Sequence, residues 1–141
     1  MIIQINDGSK TYDIQNQNGE IVASVTFKPN DFNILRRVDA VVEEMEKIIE
    51  SIKDIPPSAK AISEKEDVLK NKINDLFGTD VTTPFFDILG AFSPVGKGRL
   101  FVEDVLEKLI GIVRSEYDNE TAKEKEKLNE YLEEYVGGES K

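Results

Sequence analysis

The stretch Ile21-Val22-Ala23-Ser24-Val25-Thr26-Phe27-Lys28-Pro29-Asn30-Asp31, continuing into Phe32-Asn33-Ile34-Leu35, holds the change of period that decides the fold. Ile21, Ala23, Val25 and Phe27 fall at period two, the spacing of one face of a strand. Pro29 has no N–H to give a ladder and ends that strand. Asn30 or Asp31 can cap a helix. Leu35, Val38, Val42, Met45, Ile49 and Ile52 then recur at three- and four-residue steps, with Asp39, Glu43, Glu46, Lys47 and Glu50 on the other side. That pattern predicts an amphipathic helix from about Asn30 to Asp54. It closes before Pro56-Pro57, because a residue preceding proline avoids the α region.

Upstream, Ile3 and Ile5 alternate with polar neighbours, as do Tyr12 and Ile14. Asp7-Gly8 and Asn18-Gly19 separate the runs, and both pairs tolerate the positive φ that tight turns need. Residues 1–28 therefore read as a three-stranded antiparallel meander. A sheet of that size is marginal alone, so a helix must cover it. The expected buried set is Ile3, Ile5, Val25, Phe27, Leu35 and Val42.

Downstream, Ser58 can cap a second helix, with Ile62, Leu69, Ile73 and Leu76 as its stripe and Gly78 as its C-terminal cap. Thr83-Pro84 reads as a cap and first-turn proline for a short apolar helix holding Phe85, Phe86, Ile88 and Leu89. Gly90 to Gly98 reads as a loop. A long helix is expected from Arg99, lined by Leu100, Val102, Val105, Leu106, Leu109, Ile110, Val113 and Tyr117, with Gly111 weakening it. Asp118 to Lys127 is almost wholly polar. Leu128, Tyr131, Leu132, Tyr135 and Val136 restore an apolar face, which Gly137-Gly138 ends.

The fold class is thus α+β: an N-terminal three-stranded antiparallel meander packed against a mostly helical C-terminal region. Residues 1–117 read as a single domain, with strands in 1–28 and helices from about 30. Residues 118–141 read as a charged C-terminal helical extension.

The chain has 141 residues, 39% hydrophobic and 33% charged, with a formal net charge of -10. Such an acidic balance disfavours nucleic acid, whose binding needs a basic surface that releases counterions. It disfavours an anionic membrane for the same reason. The N-terminus lacks the basic and apolar regions of a signal peptide. The longest strongly apolar run, Leu109 to Val113, is far short of the roughly 20 residues a membrane span needs. A cytoplasmic location is the expectation.

The chain has neither histidine nor cysteine. The commonest general base, the best nucleophile and the main transition-metal ligands are therefore missing. Glu43 with Glu46, or Glu103 with Glu107, could be drawn as an acid/base pair. Tuned carboxylates need burial, however, and these positions oppose the apolar stripes. Gly96-Lys97-Gly98 lacks the glycine spacing and the Ser or Thr of a phosphate loop. Asn16-Gln17-Asn18-Gly19 would begin a calcium loop at Ile14 and close it at Val25, neither of which can ligate. No catalytic, cofactor-binding or metal-binding residue is assigned, and no cofactor is expected.

Two features remain as candidates for protein binding. One is the aromatic segment with Phe85, Phe86 and Phe92, which is either domain core or a groove for an apolar helix. The other is the stripe Leu128, Tyr131, Leu132 and Tyr135, at i, i+3, i+4 and i+7, which is either the last core helix or a docking helix. Both are expected to contact other copies of the chain or a helical client.

The passage Phe27-Lys28-Pro29-Asn30-Asp31-Phe32-Asn33-Ile34-Leu35-Arg36-Arg37 resembles the strand-to-helix junction of tail assembly chaperones from long-tailed bacteriophages and prophages. Those proteins run from a few strands through a Phe-x-Pro-x-Asp turn into a helix with a basic residue. Asp75-Leu76-Phe77-Gly78 and Phe85-Phe86-Asp87-Ile88-Leu89 resemble the middle of that family. The resemblance spans roughly residues 20 to 115 and does not extend past Asp118. It implies a non-enzymatic role in the host bacterial cytoplasm. The partners it implies are the tape-measure protein, which is kept soluble during tail assembly, and the major tail protein. Such chaperones are absent from the finished tail. The alternative is a structural component, a tail or head completion protein, retained in the virion. An acidic inhibitor mimicking phosphates fits less well, because lysines are interspersed among the acids.

Overall fold

The strand-to-helix junction forms where the period changes. The computed structural model describes the backbone of residues 1–54 and 58–139, and the side chains of all of these except 125, 128 and 131–139. Strand β2 (Ile21–Phe27) runs into a buried Pro29, and Asp31 caps helix α1 (Phe32–Lys53) by accepting the Asn33 N–H at 2.9 Å. Strand β1 (Lys10–Gln15) pairs antiparallel with β2, placing Tyr12 opposite Val25 and Ile14 opposite Ala23. Asn16 closes the hairpin, its Oδ1 accepting the N–H groups of Asn18 and Glu20, with Gly19 at φ 81°.

The N-terminal sheet therefore has two strands where the alternation predicts three. The Asp7-Gly8 turn forms: Asn6 and Asp7 each accept the N–H two residues on. The segment before it finds no partner strand, and Ile3 and Ile5 are 82% and 77% exposed. The reason is the supply of helices. Val25 and Phe27 are buried in the helical core, and Lys10 and Tyr12 on β1 already lie against α4 (Phe101–Glu139), Lys10 through an ion pair to Glu116 at 2.8 Å. A further strand outside β1 would meet no apolar face, and period two alone cannot reveal that.

Helix α2 (Ala59–Phe77) begins at Ser58, whose hydroxyl accepts the Ala61 N–H, and ends at Gly78 in the left-handed region. It packs antiparallel on α1, as the pairs Arg37–Asp75 and Glu44–Lys72, both at 2.8 Å, record. A side-chain knot then turns the chain. Asn74 accepts the N–H groups of Val81 and Thr82 and donates to the Thr82 hydroxyl. Asp80 accepts from the backbones and hydroxyls of Thr82 and Thr83. Thr82 can be buried because these bonds satisfy it. Thr82, one residue before the expected cap, precedes the short α3 (Thr83–Phe86).

The expected loop from Gly90 to Gly98 holds a short strand, β3 (Pro94–Gly96), which pairs with β4 (Arg99–Leu100) just after it in a small hairpin. Its turn is Gly96-Lys97-Gly98, all three at positive φ. Helix α4 starts at Phe101, two residues after the expected Arg99. Its first N–H groups are satisfied by the carbonyls of Ser93 and Ala91, both at 2.8 Å, and Glu103 reaches back to the Leu100 N–H. The helix is continuous through the polar stretch and through Gly137-Gly138, ending at Glu139.

One core joins these elements. Phe27 sits in it between Tyr12, stacked at 5.3 Å, and Phe77, edge-on at 5.2 Å. Alpha1 contributes Ile34, Val38, Val41, Met45 and Ile49, and α4 contributes Val102, Val105, Leu106, Leu109 and Val113. Leu35 and Val42, expected in the core, are only partly buried.

Candidate functional site: the groove between α1 and α4

The apolar stripes of α1 and α4 are both wider than the core they serve. Alpha1 carries Val42 beside its buried row, and α4 carries Ile110 beside its own. Where the two helices face each other the surplus forms the floor of a groove of about 650 Å³. Val42, Met45 and Ile49 line it from α1, and Leu106, Ile110 and Gly111 from α4. The rim is charged: Asp39, Glu43 and Glu46 stand on one side, Glu103 and Glu107 on the other. Arg99 and Arg114 complete the lining.

The two arginines are already engaged. Arg99 ion-pairs with Glu107 and also donates to the Glu103 carbonyl. That guanidinium, hydrogen-bonded to the carboxylate, holds the Glu107 carboxyl below the ordinary carboxylate range and raises Arg99 in turn. Arg114 lies 3.8 Å from Asp39, across the groove. Glu43 and Glu46 have no ion-pair partner among the described residues. The groove is thus greasy below, acidic above, and its negative rim is incompletely neutralised.

Gly111 stands at a junction. It and Glu107 line the groove, and both also line a shallower depression on the other side of α4, toward Tyr12, Ile112 and Glu116. Of these two shared residues, only Gly111 presents no side chain. The Tyr12 hydroxyl lies buried without a hydrogen-bond partner among the described residues, and burial pushes its pKa up.

The carboxylate pairs weighed in the sequence, Glu43 with Glu46 and Glu103 with Glu107, line this one groove from opposite helices. None of the four is buried. Among the described residues no group of three or more Asp or Glu side chains is arranged to hold a metal ion, and no helix is long and apolar enough to cross a membrane. After the Gly96-Lys97-Gly98 turn, the Phe101 and Val102 amides donate to the Ser93 and Ala91 carbonyls.

The aromatic segment lies elsewhere. Phe86 is 8% exposed and meets Phe101 edge-on at 6.0 Å, so it belongs to the core. Phe85 and Phe92 are partly buried against that core, while Ile88 and Leu89 are exposed. Leu128, Tyr131, Leu132 and Tyr135 lie on α4, but their side chains fall outside the described residues. The groove itself escaped the sequence reading because it needs two helices 60 residues apart to be brought face to face. Its signal was present: a stripe with more apolar positions than one face can bury, and a glycine inside a helix. No family model, curated protein or solved structure matches the chain.

Proposed function

We propose that the chain is a non-enzymatic assembly chaperone that binds the tape-measure protein of a long-tailed phage or prophage and keeps it soluble during tail assembly. The observation that carries this reading is the α1–α4 groove, an apolar floor between charged rims. A groove of that kind suits an amphipathic helix of another chain. A tape-measure protein is a long helical chain whose exposed apolar stripes aggregate. A coat of acidic copies would cover those stripes and lend charge to the assembly, and repeated weak contacts would add by avidity. The resemblance of Phe27–Arg37 to the strand-to-helix junction of tail assembly chaperones supports the same reading.

The test is co-expression with the tape-measure protein of the same phage or prophage. The chaperone reading expects that protein to become soluble only in its presence, and expects this chain to be absent from purified virions. A chain found in mature virions is a structural component, and the reading fails.

A further inference from the structure

We propose that the α1–α4 groove receives a single client helix, apolar on one face and flanked by lysine or arginine, which crosses α4 directly over Gly111. The name of the client rests on the chaperone reading; the chemistry of the occupant rests on the groove.

Gly111 is the starting point. It sits in the interior of α4 between Ile110 and Ile112, with ordinary negative φ, so no left-handed turn requires glycine there. A Cβ built on it would meet nothing within 4 Å, so close packing inside this chain does not require it either. Glycine weakens a helix interior relative to every residue but proline. The missing side chain therefore serves something that is not part of this fold. Helix axes approach within about 8–10 Å, and the smallest side chains permit the closest crossings. Gly111 and Glu107 line both the groove and the depression toward Tyr12, and of the two only Gly111 puts no side chain in the way of a crossing helix.

Charge selects the occupant. The rim holds five carboxylates and two guanidiniums, both guanidiniums already lie against carboxylates of this chain, and Glu43 and Glu46 have no ion-pair partner among the described residues. An apolar helix with basic flanks complements that rim, and one with acidic flanks is repelled. A second copy of this chain, at net charge -10, is the poorer electrostatic match.

Two synthetic helices of about 20 residues, roughly 30 Å long, make the test. They share one leucine stripe and differ only in lysine or glutamate flanks. Fluorescence anisotropy with the full chain is expected to show saturable, salt-sensitive binding of the lysine helix and at least about tenfold weaker binding of the glutamate helix. Gly111→Leu is expected to weaken the lysine helix about tenfold or more while leaving the circular dichroism spectrum unchanged. Glu43→Lys with Glu46→Lys is expected to shift the preference toward the glutamate helix. Equal binding of the two helices, or unchanged binding by Gly111→Leu, overturns the inference. Self-association that Gly111→Leu abolishes, with neither helix bound, assigns the groove to a second copy and also overturns it. The client arm separates the two claims. If Gly111→Leu still solubilises the tape-measure protein like wild type, the groove assignment falls and the chaperone reading stands. If wild type binds the lysine helix but solubilises no tape-measure protein, the reverse holds.

Discussion

Replacing Gly111 by alanine should stabilise this protein while weakening the partner contact assigned to it. The magnitude follows from the helix alone. Gly111 has helical φ and its added Cβ meets no neighbour, so neither backbone strain nor a clash opposes the change. Alanine exceeds glycine in helix propensity by about 0.8–1.0 kcal/mol. The restriction of the unfolded chain accounts for this gain, and Gly→Ala changes at compatible sites give about 0.4–1 kcal/mol. For a domain of this size such a gain raises Tm by roughly 2–5 °C. Thermal unfolding followed at 222 nm, with urea unfolding at constant m-value, measures it. A loss of stability would show that α4 needs the glycine for its own packing, and the argument that it serves a partner would collapse. A gain in stability with undiminished binding of the lysine-flanked helix would refute the same argument from the other side.

Phe27→Ala should cost ~3–5 kcal/mol, because Phe27 is buried between Tyr12 and Phe77; chemical denaturation checks it, and a cost under about 1 kcal/mol would be out of line with a well-packed site. Ile3→Ser with Ile5→Ser should change stability by no more than about 0.5 kcal/mol per site, since both are exposed; a large loss would restore the three-stranded meander. Asp80 is held below its ordinary pKa of 3.8, first by the Thr83 hydroxyl and then by the Thr83 N–H. A depressed folded pKa means that its stabilisation is complete above the unfolded value and is lost as pH falls through the folded one. Asp80→Asn should therefore lower Tm at neutral pH and flatten part of the acid limb below about pH 4; identical acid limbs in the two proteins would remove Asp80 from the account.

Local chemistry made most of the fold legible. Pro29 and Asp31 mark the strand-to-helix junction, where Asp31 accepts the Asn33 N–H; Ser58 and Gly78 bracket α2, the first by accepting the Ala61 N–H and the second by its positive φ; and Gly19, also at positive φ, sits in the β1–β2 turn that the Asn16 side chain closes. What failed depended on partners distant in sequence. Ile3 and Ile5 alternate like a strand, but strand formation needs an edge backed by a core, and both side chains stay exposed. The Arg99 start of α4 was misplaced because Arg99 and Leu100 pair with β3, leaving Phe101 to begin the helix on the Ser93 carbonyl. The aromatic segment held both readings open in sequence, and Phe86 resolves into core through Phe101. The groove is the clearest case. In sequence Val42 is a core position and Gly111 a weak point in a helix, and only their meeting across α1 and α4 turns both into parts of one surface.

A client helix in the groove between α1 and α4 would lie within reach of a probe on the groove rim. The chain has no cysteine, so a single one can be placed at will. Glu46→Cys puts a maleimide-linked benzophenone on the groove rim, and Asp67→Cys puts it on an exposed position of α2 outside the groove. Illumination with the lysine-flanked helix, and with the co-purified tape-measure protein, reads the contact directly. Covalent adducts are expected from position 46 and none from position 67. Adducts formed equally from both, or from position 67 alone, would rule the groove out as the binding site.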